Sequence, residues 1–186
     1  MVFLISVLLG LAMGSGTVFS LHYGAGNHVA LRRSIFSSFV LIGIVTLILN
    51  VAVFIWLDPI LRLLQVPQDI YGMMRSYLWI IFCGIVFTFI YNFYASLLRA
   101  VGDSVTPLWF LAVSVVLNIA LDLFFILQLD WGIQGAAAAT VLAQGVAALG
   151  IIIYTYRRRP ELRWHHEDMC FDRTCLKEIA SFSTLT

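Results

Sequence analysis

PLWFLAVSVVLNIALDLFFIL, residues 107–127, decides the fold. As a helix this run rises about 31 Å, enough to cross a hydrocarbon core of about 30 Å, and it carries one charge, Asp122. A helical repeat of 3.6 residues puts Ser114, Asn118 and Asp122, each four apart, on one face and leaves the other faces to Leu, Val, Ile and Phe. Two readings of Asp122 follow. An acid inside a membrane marks an ion or substrate path, or it serves as a hydrogen-bonding hub between helices.

Composition agrees with that stretch: 61% of the 186 residues are hydrophobic and 11% charged, against about 25% charged in a soluble domain. The expected class is an all-α, polytopic membrane protein. A net charge of +1 without a basic, aromatic-interleaved patch gives no reason to expect a nucleic-acid partner. Cys83, Cys170 and Cys175 are too few and too irregularly placed for a disulfide framework and read as reduced thiols.

The chain then divides into spans. Residues 1–21 lack a positive leader and read as a first span, with Gly10 and Gly14 forming a G-x-x-x-G pair suited to close helix approach. Residues 22–33, HYGAGNHVALRR, read as a loop broken at Gly24, Gly26 and Asn27, with His22 and His28 at the interface and Arg32 and Arg33 beside it. A second span covers 34–57 and is expected to stop at Asp58-Pro59, followed by a connection over 62–69. The third span, 70–98, exceeds what a bilayer needs, so Arg75 is expected to snorkel. Tyr91, Asn92, Tyr94 and Ser96 make its later part polar, either as a cavity lining or as an approach to the interface.

Gly102 and Asp103 make the next turn, with Ser104 or Thr106 expected to cap the fourth span and Pro107 in its first turn. After a tight connection over 128–132, a fifth span runs over 133–156, with Gly135, Ala139 and Ala143 forming a smooth face. Arg32, Arg33, Arg99 and Arg157 to Arg159 fall on one side of this topology, which makes residues 22–33, 99–106 and 157–175 the cytoplasmic segments. The chain would start outside, as if a span preceded it.

The short 128–132 connection makes the fourth and fifth spans antiparallel neighbours. Asp122 lies about 7 Å from the outer end of its helix and Thr140 about 10 Å from the start of the next, so the two can share a layer with Asn118. Thr140 can equally bond its own backbone.

LRAVGDSVTP, NIALD and WGIQGAAAATVLAQ, within residues 98–144, closely resemble the multidrug and toxic compound extrusion (MATE) transporters, and the GAGN turn followed by Arg32 and Arg33 resembles their connection between helices two and three. The resemblance implies a twelve-helix, two-lobe protein exporting organic, often cationic compounds in exchange for protons or sodium, in a plasma membrane and with no other cofactor. Five transmembrane helices and the start of a sixth would then be the family's helices two to seven. Residues 1–156 would be the amino-terminal-lobe bundle without its first helix, 157–175 a cytoplasmic inter-lobe linker, and 176–186 the next helix cut short. The first helix and the second lobe would be the chain's missing partners.

By that resemblance Asp122, Asn118 and Thr140 bind the cation or substrate, while Ser114, Asn92, Tyr91 and Gln144 are candidates for lining the cavity. In the tail, His165, His166, Cys170 and Cys175 match no common zinc spacing, so no metal is expected. Other classes are an export flippase for a lipid-linked or polysaccharide substrate, which by resemblance carries more cationic cavity residues, and a non-transporting scaffold. No nucleophile and base pair or phosphate loop points to an enzyme.

Overall fold

The structure, a computed structural model, describes residues 2–63 and 65–162. Five helices follow one another: α1 (Val2–Gly24), α2 (His28–Leu63), α3 (Gln68–Ala100), α4 (Val105–Leu127) and α5 (Gly132–Arg158), with a 3-10 turn at Pro160–Leu162. Helices are what a chain this apolar can form in lipid, because each satisfies its own backbone polar groups. Among the described residues α2, α3, α4 and α5 are long and apolar enough to cross a membrane. The fifth helix, α1, rises about 34 Å over its 23 residues.

Two turns at the basic end are built alike. Gly26 (φ 69°) and Gly102 (φ 88°) take the left-handed conformation that ends a helix. In the first turn Asn27 N–H reaches His22 O at 3.1 Å and Gly26 N–H reaches Tyr23 O at 3.0 Å; in the second, Asp103 N–H reaches Leu98 O at 2.9 Å and Gly102 N–H reaches Arg99 O at 3.1 Å. Both are Schellman closures. In each the residue after glycine then caps the next helix: Asn27 Oδ1 accepts Ala30 N–H at 3.0 Å, and Asp103 Oδ1 accepts Thr106 N–H at 3.1 Å.

Several sequence expectations are corrected here. Ser104 stands at the start of α4 but makes no capping bond; Asp103 does so instead, and its other oxygen accepts the Thr106 hydroxyl at 2.9 Å. The loop expected over 22–33 shrinks to 25–27, because glycine closure and Asn27 capping let both helices run to the turn, placing His22 and His28 on helices. Segment 99–106 shrinks likewise to 101–104. Pro59 does not stop α2, which continues to Leu63. A proline removes one helical bond there, and burial of Leu57 and Leu61 on either side holds the turn in place.

Of the expected pair, Gly10 makes no close approach, since a Cβ there would have nothing within 4 Å, whereas Gly14 is buried. The close approach is at Gly16, where a Cβ would stand 2.5 Å from Ser96 Oγ, and that hydroxyl donates to Ala12 O at 2.6 Å. Arg75 does more than snorkel. Its Nε donates to Asp58 Oδ1 at 3.0 Å, where Tyr71 also donates at 2.9 Å, tying the start of α3 to the end of α2.

Phe19, Phe39, Phe89 and Phe93 form a ring-to-ring cluster joining α1, α2 and α3, with centroids 5.2–6.1 Å apart. Asn50, buried on α2, donates to Phe82 O on α3 at 2.7 Å. On the other side α5 packs against both α3 and α4, which barely touch each other. Small residues make the first contact possible: a Cβ on Gly84 of α3 would lie 2.6 Å from Val141 Cγ2. The second is at Gly135, whose added Cβ would lie 3.0 Å from Phe125 Cβ of α4. In the expected smooth face, Gly135, Ala139 and Ala143 are all buried.

Candidate functional site

Because α5 holds α3 and α4 apart, a cavity of about 300 Å³ opens between the three helices. From α3 come Thr88, Tyr91 and Asn92; from α4, Leu111, Ser114, Val115 and Asn118; from α5, Thr140, Ala143, Gln144 and Ala147. Ser114, Asn92, Tyr91 and Gln144 therefore all line one space, as do Asn118 and Thr140.

Asn118 Nδ2 donates to Thr140 Oγ1 at 3.3 Å, and the Thr140 hydroxyl donates to Ala136 O at 3.0 Å. Both alternatives for Thr140 thus hold at once, since a hydroxyl donates once and still accepts. Tyr91 hydroxyl donates to Pro107 O at 2.8 Å, fixing the ring at the basic end of the cavity, and Asn92 Nδ2 donates to Thr88 O at 2.8 Å. Tyr94 and Ser96, by contrast, are buried away from it, among the core aromatics and against α1.

Thr88 was not legible as a site residue. Its hydroxyl donates to Gln144 Oε1 and so bridges α3 to α5 across the cavity floor. The available signal was its spacing: Thr88 precedes Asn92 by four residues and shares its helix face.

Asp122 lies one turn beyond Asn118 and is not a cavity wall. It is half-buried, and its Oδ1 is enclosed without a hydrogen bond from any described residue. A buried carboxylate oxygen without a donor is costly. A proton or a cation on the carboxyl would remove that cost. Its helix is the least covered of the five: within α4 only Pro107 and Ser114 are buried.

Among the described residues no group of three His, Cys, Asp or Glu side chains could hold a metal. His165, His166, Cys170 and Cys175 lie outside the described residues, as does the expected helix over 176–186, and Cys83 is a free, exposed thiol.

The MatE family model matches residues 1–124, two thirds of the sequence. This chain belongs to the MATE family. A relative in Bacillus subtilis (strain 168), the probable multidrug resistance protein YpnP, is 37% identical over 155 residues, covering 83% of this chain and 35% of its own length. The multidrug export protein MepA of Staphylococcus saprophyticus is 32% identical over 82% of the chain and 35% of itself. This MATE chain thus spans about a third of the length of the curated relatives it matches.

Among solved structures, an inward-facing multidrug resistance MATE family transporter superposes with a TM-score of 0.91 over 97% of this chain and 41% of that one, at 23% identity. An outward-facing one gives 0.88 with the same coverage and identity. The MATE fold is shown, and one five-helix shape fits both conformations.

Proposed function

We propose that this chain supplies the amino-terminal-lobe bundle of a secondary multidrug efflux antiporter in the plasma membrane, which exports organic, often cationic compounds in exchange for protons or sodium. The observation that carries this is Asp122 Oδ1, enclosed without a donor one turn from the Asn118–Thr140 pair. A cation on this carboxylate favours its charged form and a proton its neutral form, so the two compete for one site. Asn118 and Thr140 orient the ion or substrate, and Leu111, Val115 and Ala147 offer apolar surface to an organic body.

No catalytic step is assigned, and the coupling ion is the only cofactor. The basic turns face the cytoplasm, following the bias of Arg32, Arg33, Arg99 and Arg157 to Arg159. Movement of this bundle as a unit against a second lobe alternates access, as in other repeat-built transporters. The near-equal likeness to inward- and outward-facing structures supports that reading.

The test is Asp122→Asn in a transporter of the relatives' length, assayed for gradient-driven ethidium export from vesicles. The substitution keeps shape and removes titration, so coupled export is expected to stop while folded yield stays normal. Normal export by Asp122→Asn, with reduced folded yield for Asp122→Ala, would leave Asp122 as a hub between helices.

A further inference from the structure

At its basic end the cavity between α3, α4 and α5 is closed on three sides, and two of them close by packing. Between α4 and α5, a Cβ on Gly150 would lie 2.6 Å from Phe110 Cε1, and the Phe110 ring meets Tyr154 edge-on with centroids 6.1 Å apart. Tyr154 also reaches back to the turn, its hydroxyl donating to Asp103 Oδ2 at 3.4 Å. Toward α3 and α5, Leu98, Ala148 and Ile151 are fully buried. The third side is different. Helices α3 and α4 barely touch, and the bond from Tyr91 hydroxyl to Pro107 O at 2.8 Å is the only hydrogen bond between them among the described residues.

We propose that Tyr91 is the seal on this side: it keeps the cavity shut at the basic end, so that the coupling ion can use only the route that movement of the lobes controls. The proposal rests on the antiport reading above and adds a positioning residue to it, one that acts by holding α4 against α3.

Both partners are suited to a fixed tie. The acceptor is a backbone carbonyl, with a second lone pair to spare for the tyrosine beside its helical bond, and the ring of Pro107 fixes the backbone that carries it. Pro107 is buried, although α4 is otherwise the least covered helix. On α3 the donor is itself a wall of the cavity, so the tie crosses the gap where the cavity ends.

Behind the seal the polar groups continue. Ser114, Gln144, Asn118 and Thr140 follow along the cavity toward Asp122, and Ser114 lies about 12 Å from Asp122 along its helix. Ser114 makes no hydrogen bond among the described residues and is open to water. A polar space of about 300 Å³ has room for several waters. Water admitted past Tyr91 would reach the Asn118–Thr140 pair, one turn from Asp122. A proton or sodium ion would then have access to the carboxylate from the basic side at any position of the lobes, and the gradient would run down without export.

Ion flux into liposomes carrying a transporter of the relatives' length tests this, under a proton and then a sodium gradient, first without drug and then with ethidium. Tyr91→Phe keeps the ring and removes the tie. It should raise drug-free flux about fivefold, the change in an opening equilibrium expected from the loss of one ordinary hydrogen bond. Ions moved per ethidium exported should rise with it, a ratio that does not depend on how much protein folds. Tyr154→Phe should leave drug-free flux near its original level, because Phe110 and Gly150 still close that side. Adding Asp122→Asn to Tyr91→Phe separates the two readings: a leak that persists there leaves the seal standing and removes Asp122 from the ion's path. Drug-free flux unchanged by both Tyr91→Phe and Tyr91→Leu overturns the proposal, and so does an equal leak from Tyr154→Phe.

Discussion

Asn118 and Thr140 orient each other across two helices: the amide of one donates at 3.3 Å to a hydroxyl whose own proton is committed to Ala136 O. The hydroxyl cannot rotate to donate toward Asn118 without giving up its backbone bond, so the amide nitrogen must face α5. The amide oxygen is left as the remaining polar atom of Asn118.

Thr140→Val should remove that acceptor while keeping the side chain's shape. The expected cost is about 0.6 kcal/mol of bundle stability, the average for a hydrogen bond between membrane helices. Thr140→Ser should restore it. Equilibrium unfolding in mixed micelles gives the comparison, and equal stability of the Val and Ser variants would mean that the contact carries no energy.

In a transporter of the relatives' length, Asn118→Ala and Thr140→Ala should slow drug export less than Asp122→Asn does. Each deletes an orienting hydrogen bond, worth roughly 0.5–1.5 kcal/mol, and leaves the titrating group in place. Ethidium efflux rates at matched expression supply the ranking. A reversed order would move the coupling role from Asp122 to the pair.

Gly84→Ala should destabilise the α3–α5 contact by about 1–3 kcal/mol, because its Cβ would meet Val141 Cγ2 at 2.6 Å. Val141→Ala made in the same chain should recover most of the loss. If the double variant is no more stable than Gly84→Ala alone, the clash lies elsewhere.

Asn50→Leu should loosen α2 from α3. It removes the 2.7 Å bond to Phe82 O, at a cost of about 0.6–1.7 kcal/mol. Hydrogen exchange at the amides flanking Asn50 and Phe82 should quicken in the variant and not in Ile48→Leu, whose side chain is exposed. Equal exchange in the two variants counts against a stabilising bond.

Single cysteines at Gly102 and Asp130, placed in a background without other cysteines, should report opposite sides of the membrane to an impermeant maleimide in intact cells. Position 130 should label and position 102 should not. The opposite pattern reverses the orientation.

The sequence alone carried the class, the five helices of the described residues and the order of their turns, because each rests on local physics. An apolar run of spanning length has no other backbone solution in lipid, and Gly26-Asn27 and Gly102-Asp103 encode closure and capping within a few residues. The four-residue spacing of Ser114, Asn118 and Asp122 fixed their common face in the same way. Helix ends were less legible: Pro59 reads as a stop, yet its loss of one bond is outweighed by burial of Leu57 and Leu61 against residues distant in sequence.

Only the tertiary structure decided which polar residues meet. Thr88 and Gln144 are 56 residues apart, and nothing local indicates that one would bond the other across α3 and α5. The same holds for Arg75 with Asp58, for Gly16 rather than Gly10 at the α1–α3 seam, and for a cavity that exists because α5 separates α3 from α4. Helical periodicity assigns a residue to a face; which helix covers that face depends on the packing of all five.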